Sequence, residues 1–270
     1  MSSGGSDILE KINKDIEKTG FPLEINVMKI LLNSGLNVIP QFHYVDPDEG
    51  KDRTIDFYCF KAIEVKSEWY EMFRISLFIE CKNIVEKPWI LFSIKKNMYM
   101  NIPKTSLFYL HYLGNNLPYN EQIMLEDLAL KTHYTSDRIA INHFIAFKND
   151  RKKDEGKDLI NEALNQTTKA LKYERGNISR FNEKLSKSKK FNNLILFYPI
   201  IICDGNLYEY KVENDVLSPV DYILYQRSGS LEIENSITDI IKLSYLPEFL
   251  KKFASESDKI KEILESVLRD

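Results

Sequence analysis

The run Ile75-Ser76-Leu77-Phe78-Ile79 reads as a strand buried in the middle of a sheet, and it ends on a carboxylate, Glu80. Burying a charge without compensation is costly, so this strand end asks for a partner. Lys82 shares the face of Glu80, because side chains alternate along a strand. The preceding apolar segment, Thr54 to Val65, is a second strand, and the polar and aromatic stretch from about Lys66 to Tyr70 joins the two as a hairpin. A turn centred near residue 68 sets Asp56 opposite Glu80, with Cβ atoms about 4.5–5.5 Å apart.

Two carboxylates at that distance repel each other unless a cation lies between them or one takes up a proton. Oxygen ligands of this kind suit Mg²⁺, with Mn²⁺ as a substitute, and water and phosphate oxygens complete the shell. A metal there can make a water nucleophilic and stabilise charge on a phosphate, and Lys82 can orient or help deprotonate that water. The competing reading is a surface cross-strand salt bridge among Asp56, Glu80 and Lys82. The apolar run before Glu80 weighs against it. A second acidic-x-Lys pair, Glu64 and Lys66, lies eight residues after Asp56, about 26 Å along an extended strand, and so belongs near the turn.

Glu24 falls inside the apolar arc formed by Val27, Met28 and Leu31 on a helical wheel. Either it turns toward the same site, or its helix is rotated so that it skirts the stripe in the first turn, where the helix dipole favours an acid. Gln166 sits at the edge of a later apolar stripe, between Leu159, Ala163 and Ala170, and either reaches the site or is a boundary position. Lys169, one turn on, has the same two readings.

The chain of 270 residues is 43% hydrophobic and 29% charged, enough for one sizeable α/β domain. Its net charge of −3 argues against a protein that coats nucleic acid, but not against an enzyme touching DNA along one groove. Cys59, Cys81 and Cys203 are isolated, which suits a reducing cytoplasm. Neither a secretion signal nor a membrane span is read, and Met1 to Ser6 reads as a small flexible tail. His43, His111, His133 and His143 show no metal or triad spacing, and no P-loop, Rossmann glycine fingerprint or nucleophile elbow is present.

Helices are expected over about Asp7–Lys18 and from Pro22 to Ser34, with Gly35 as terminator. Leu36–Tyr44 reads as a strand, and Asp46 to Gly50 as a turn. An irregular insertion over about 95–137 carries helical stretches near Lys104–Leu113 and Asn120–Leu130. A strand over Arg138–Phe147 and a helix over Asp158–Glu174 follow. The buried strand Asn193–Cys203 then turns back at Asp204-Gly205-Asn206 into Leu207–Val212. A charged helix over about 248–269 closes the chain. Arg151-Lys152-Lys153, Lys184 to Lys190, and Lys95, Lys96 and Lys104 are candidate phosphate contacts. Tyr99, Tyr109, Tyr112 and Tyr119 either stack on bases or cover core.

The ordered set Gly20-Phe21-Pro22-Leu23-Glu24, Arg53-Thr54-Ile55-Asp56, Ile79-Glu80-Cys81-Lys82, Lys87-Pro88-Trp89, Ala163-Leu164-Asn165-Gln166 with Lys169-Ala170-Leu171, and Cys203-Asp204-Gly205 resembles the PD-(D/E)XK nuclease superfamily. It departs in having Ile55 where a proline often stands and in the long gap from Asp56 to Glu80. The resemblance implies a restriction endonuclease-like core over about 20–92 and 138–212, a mixed central β-sheet flanked by helices, with the insertion after the catalytic strand. It implies Mg²⁺-dependent cleavage of DNA in microbial defence, restriction or repair, with DNA as partner and a homodimer left open. Asp56 and Glu80 would be metal ligands, Lys82 the catalytic lysine, Glu24 an auxiliary acid and metal ligand, and Gln166 a further site residue. The rival expectations are a catalytically silent scaffold of the same fold and an interaction protein whose acids form salt bridges.

Overall fold

The structure is a computed structural model that describes residues 3–17, 19–65, 72–96, 108–111, 132–147, 158–185, 193–227 and 237–266. Helix α1 (Ser3–Glu17) begins inside the stretch expected to be a flexible tail. Helix α2 (Phe21–Leu32) carries Pro22 in its first turn, where the missing N–H costs nothing, and the chain leaves it through Gly35 at φ +74°. Strand β1 (Asn37–Val45) and β2 (Asp52–Glu64) pair antiparallel across a turn in which the Asp46 carboxylate accepts the Asp48 and Glu49 N–H groups at 2.9 and 3.2 Å.

β2 pairs antiparallel with β3 (Met72–Lys95) from Phe57↔Ile79 to Glu64↔Met72, the register expected from the sequence. The turn itself lies outside the described residues. β3 does not stop at Lys82 but runs on to Lys95, with a register irregularity against its parallel neighbour between Ile84 and Trp89.

Two further expectations are corrected. Phe108–His111, placed in a helix by the sequence reading, is strand β4, because β6 (Asn193–Lys211) offers it an open edge. The second helical stretch of the insertion and the charged runs at 151–153 and 186–190 lie outside the described residues. Nor does β6 turn back at Asp204-Gly205-Asn206; it continues straight to Lys211. Gly205 has φ +127°, and a Cβ there would stand 2.7 Å from Ile84 C and Val85 N. Glycine is present because two parallel strands approach closely, not because the chain reverses.

β5 (Arg138–Ile145) pairs with the second half of β3. Helix α3 (Leu159–Leu185) makes the crossover to β6, which lies parallel to β3. β7 (Val216–Pro219) pairs with β6, and β8 (Tyr222–Gln226) pairs with β9 (Ile237–Lys242), itself parallel to β6. A contact between Ala140 and Tyr225 links β5 to β8, so the pairings of β3, β5, β8, β9 and β6 close into a ring. Helix α4 (Leu246–Ser266) ends the described chain.

The result is an α/β fold with a mixed sheet flanked by helices. Leu23, Val27 and Leu31 of α2, with Phe249, Phe253 and Ile260 of α4, cover the face bearing Phe57, Leu77 and Ile79. α3 covers the other face with Ala170 and Ile178 against Tyr58 and Phe78, and Ile160 and Leu164 against Trp89 and Ile201. Among the described residues, no helix is long and apolar enough to cross a membrane.

Candidate active site

Glu80 and Lys82 alternate with Ile79 and Cys81 on β3 and point to the face covered by α3. The β2–β3 ladder ends at Phe57↔Ile79, which leaves Asp56 level with Glu80. There the Asp56 carboxylate replaces the ladder: its Oδ2 accepts the Cys81 N–H at 2.7 Å. The β1–β2 ladder is interrupted at the same level. It pairs Pro40 with Phe57 and Phe42 with Ile55, passing over Gln41, which lies opposite Asp56 with φ +49°. A non-glycine residue held in that region stores strain, a feature that clusters at functional sites. Gln41 Nε2 donates to Glu24 Oε2 at 3.2 Å and so ties α2 to this break. Nothing in the sequence pattern singled out Gln41.

Lys82 is the hub. Its Nζ lies 2.9 Å from Glu80 Oε1, 3.3 Å from Gln166 Oε1 and 3.8 Å from Glu162 Oε1. The ammonium thus donates to Glu80 and Gln166 and makes a longer ion pair with Glu162, one turn before Gln166 on α3. Of the two readings open for Gln166, the structure selects contact with Lys82. Glu162 was missed because its role follows from how α3 crosses β3.

Glu80 is buried, 3% exposed, and its Oε2 is a buried oxygen with no hydrogen-bond partner. Burial first, then the Asp56 charge, push its pKa up to about 7. Burial likewise raises Asp56, although the Cys81 N–H and Lys82 pull against it. Glu24 is raised by burial and then by Asp56, which places it in the same field. Burial disfavours the Lys82 ammonium, but Glu80, Glu162 and Asp56 outweigh it and raise its pKa. The five side chains Glu24, Asp56, Glu80, Lys82 and Gln166 therefore interact as one group drawn from four elements. Among the described residues, no three His, Cys, Asp or Glu side chains stand close enough to hold a metal ion by themselves.

Beside this group a cleft of about 490 Å³ opens between the β1–β2 turn and the first turns of α3, lined by Tyr44, Arg53, Asn161, Glu162, Gln166 and Lys169. Lys169 does not join the site: its Nζ pairs with the buried Asp46 carboxylate at 2.7 Å. Glu64 is exposed at the far end of the hairpin, about 26 Å along the strand from Asp56. Lys95 and Lys96 lie at the end of β3, with the Lys96 ammonium donating to the Tyr134 carbonyl. Cys59, Cys81 and Cys203 are free thiols.

His133 and His143 are held by carboxylates elsewhere on the sheet. His133 lies 2.9 Å from both Asp239 and Glu256, and His143 lies 2.9 Å from Asp158, whose other oxygen accepts the Asn161 N–H at the start of α3. No family model, curated protein or solved structure matches the chain.

Proposed function

We propose that the protein is a Mg²⁺-dependent endonuclease hydrolysing DNA phosphodiester bonds, with Mn²⁺ able to substitute. The observation that carries this reading is Glu80: a buried carboxylate with one oxygen on Lys82 and the other unpartnered, level with a second, half-buried carboxylate, Asp56. Such a pair is destabilising by itself and is relieved by a cation. The donor set fits a hard divalent ion that keeps several waters, since Mg²⁺ is commonly held by one or two carboxylates plus substrate phosphate. Asp56 and Glu80 would hold it, with Glu24 on a water. When bound, it would activate a water and neutralise charge developing on the phosphate.

The chain's own residues do the rest. Gln166 and Glu162 fix Lys82, whose ammonium supplies protons and positive charge at the reacting phosphate. Gln41 steadies Glu24 at the edge of the site. The order of elements α2, β1, β2, β3, α3 and β6, with β6 parallel to β3, supports a restriction endonuclease-like core.

The test is incubation of supercoiled plasmid with Mg²⁺ or Mn²⁺, beside an EDTA control. Glu80→Ala and Lys82→Ala should each lower the cleavage rate about 10³-fold or more. Cleavage that survives both substitutions overturns the assignment. DNA binding without cleavage favours a silent scaffold, and failure of both favours an interaction protein.

A further inference from the structure

Three side-chain amides of α3, those of Asn161, Asn165 and Gln166, line the cleft beside the site. Each is held by a charged partner that leaves no choice of orientation. Asn161 Nδ2 donates to Asp158 Oδ2 at 2.7 Å, and a carboxylate can only accept. Burial disfavours that carboxylate, but hydrogen bonds from His143 and Asn161 outweigh it and lower its pKa, so it is ionised. Asn165 Oδ1 accepts from the Arg227 guanidinium, and Gln166 Oε1 accepts from the Lys82 ammonium at 3.3 Å; both partners can only donate. The other half of each amide is thereby fixed as well. Asn161 presents a carbonyl oxygen, and Asn165 presents N–H donors, neither with a partner among the described residues. The cleft disfavours a phosphate: Asp46, Glu49, Asp158 and Glu162 outnumber Arg53 and Lys169. Both cations are already paired, with Glu49 at 3.2 Å and with Asp46 at 2.7 Å. Its volume of about 490 Å³ suits one small uncharged group.

We propose that the cleft receives one unpaired nucleobase of the substrate, a base with an exocyclic amino group: adenine or cytosine. This rests on the nuclease reading, which supplies the nucleic acid. Gln166 both lines the cleft and touches Lys82, so a nucleotide whose phosphate reaches Lys82 sets its base among the amides. Asn165 adjoins Gln166, and Asn161 lies one turn farther along α3. With the sugar at the Lys82 end, the Asn165 N–H meets a ring position and the Asn161 oxygen meets the exocyclic group beyond it. Adenine and cytosine offer an acceptor nitrogen and then an amino donor, which matches. Guanine and thymine offer an N–H and then a carbonyl, which sets donor on donor and acceptor on acceptor. A base pair does not fit so small a cleft, so the base comes from a single strand or is extruded from a duplex.

The experiment is fluorescence anisotropy of the full chain with short labelled oligo(dA), oligo(dC) and oligo(dT), with Ca²⁺ in place of Mg²⁺. Oligo(dA) and oligo(dC) should each bind about tenfold more tightly than oligo(dT). Asn165→Asp keeps the Arg227 contact but turns the donor into an acceptor. It should remove that preference while circular dichroism stays unchanged. Asn161→Ala, which removes the acceptor, should reduce the preference as well. Equal binding of the three strands, or a preference that survives both substitutions, overturns the proposal. So does a failure to bind any of them. Plasmid cleavage measured alongside separates the failures: cutting without base preference removes this proposal alone, and neither cutting nor binding removes the nuclease reading with it.

Discussion

Two clusters of acids sit on the same sheet, each built round one buried carboxylate, and they are finished differently. At the α4 side, Asp239 is fully buried, yet its Oδ1 accepts from His133 and from the Tyr222 hydroxyl at 2.9 and 3.0 Å, and its Oδ2 accepts from the Tyr134 hydroxyl at 2.9 Å. The other nitrogen of His133 meets Glu256 of α4. Each charge has an opposite neighbour, and the network joins β8, β9, the turn at His133–Thr135 and α4. At the β2–β3 end, Glu80 keeps an oxygen without a partner and faces Asp56, a like charge. Among the described residues, Glu80 holds the only buried carboxylate oxygen left so. A buried polar network with every atom satisfied can stabilise a fold, whereas the unpartnered Glu80 oxygen beside a like charge is a cost to it.

Substitution should split the two with opposite signs. Asp239→Asn removes one of the two counter-ions of His133 and weakens a fully buried hydrogen-bond network, and should cost about 3 kcal/mol, read as a lower unfolding midpoint. Glu80→Gln, which removes a buried charge and a repulsion, should raise the midpoint in the absence of divalent ions while abolishing cleavage. A fall for both would mean that the two clusters are structural alike.

Titration sharpens the same contrast. Burial disfavours the His133 cation, but Asp239 and Glu256 outweigh it and carry the pKa up to about 10 from an ordinary 6.5. Its stabilisation is therefore complete below pH 6.5 and is lost as pH rises through about 10. Glu80 is also raised, from an ordinary 4.5 to about 7. For a carboxyl this means that the fold favours the protonated form. Stability is fully present below pH 4.5 and declines as pH rises to about 7. Thermal unfolding across pH should show both windows, the lower abolished by Glu80→Gln and the upper by His133→Asn.

Smaller effects test how the site is framed. Gly205→Ala should cost about 1–3 kcal/mol, because its φ and the Ile84 backbone both exclude a Cβ, and it should loosen the β3–β6 pairing just beyond Lys82. Glu64→Ala should change neither stability nor cleavage measurably, since Glu64 is exposed at the far end of the hairpin.

The core of the site was legible because it is local. Asp56, Glu80 and Lys82 follow from two alternating strands and one turn, and Glu24 from its place in an apolar stripe. What was hidden depends on distant packing. Glu162 meets Lys82 only through the crossing of α3 over β3, and His133, Asp239 and Glu256 lie in three separate segments. The Asp-Gly-Asn signal at 204–206 misled because a turn and a close strand approach both call for glycine. Phe108–His111 misled because an open sheet edge overrides local helical preference.

The central claim, that Asp56 and Glu80 form a site for a divalent cation, is tested most directly by the unfolding midpoint with and without Mg²⁺ at pH 8. The wild type should be stabilised in proportion to the logarithm of Mg²⁺ concentration once the site fills, and Glu80→Gln should not respond. A wild-type midpoint indifferent to Mg²⁺, or an equal rise in both proteins, would contradict it.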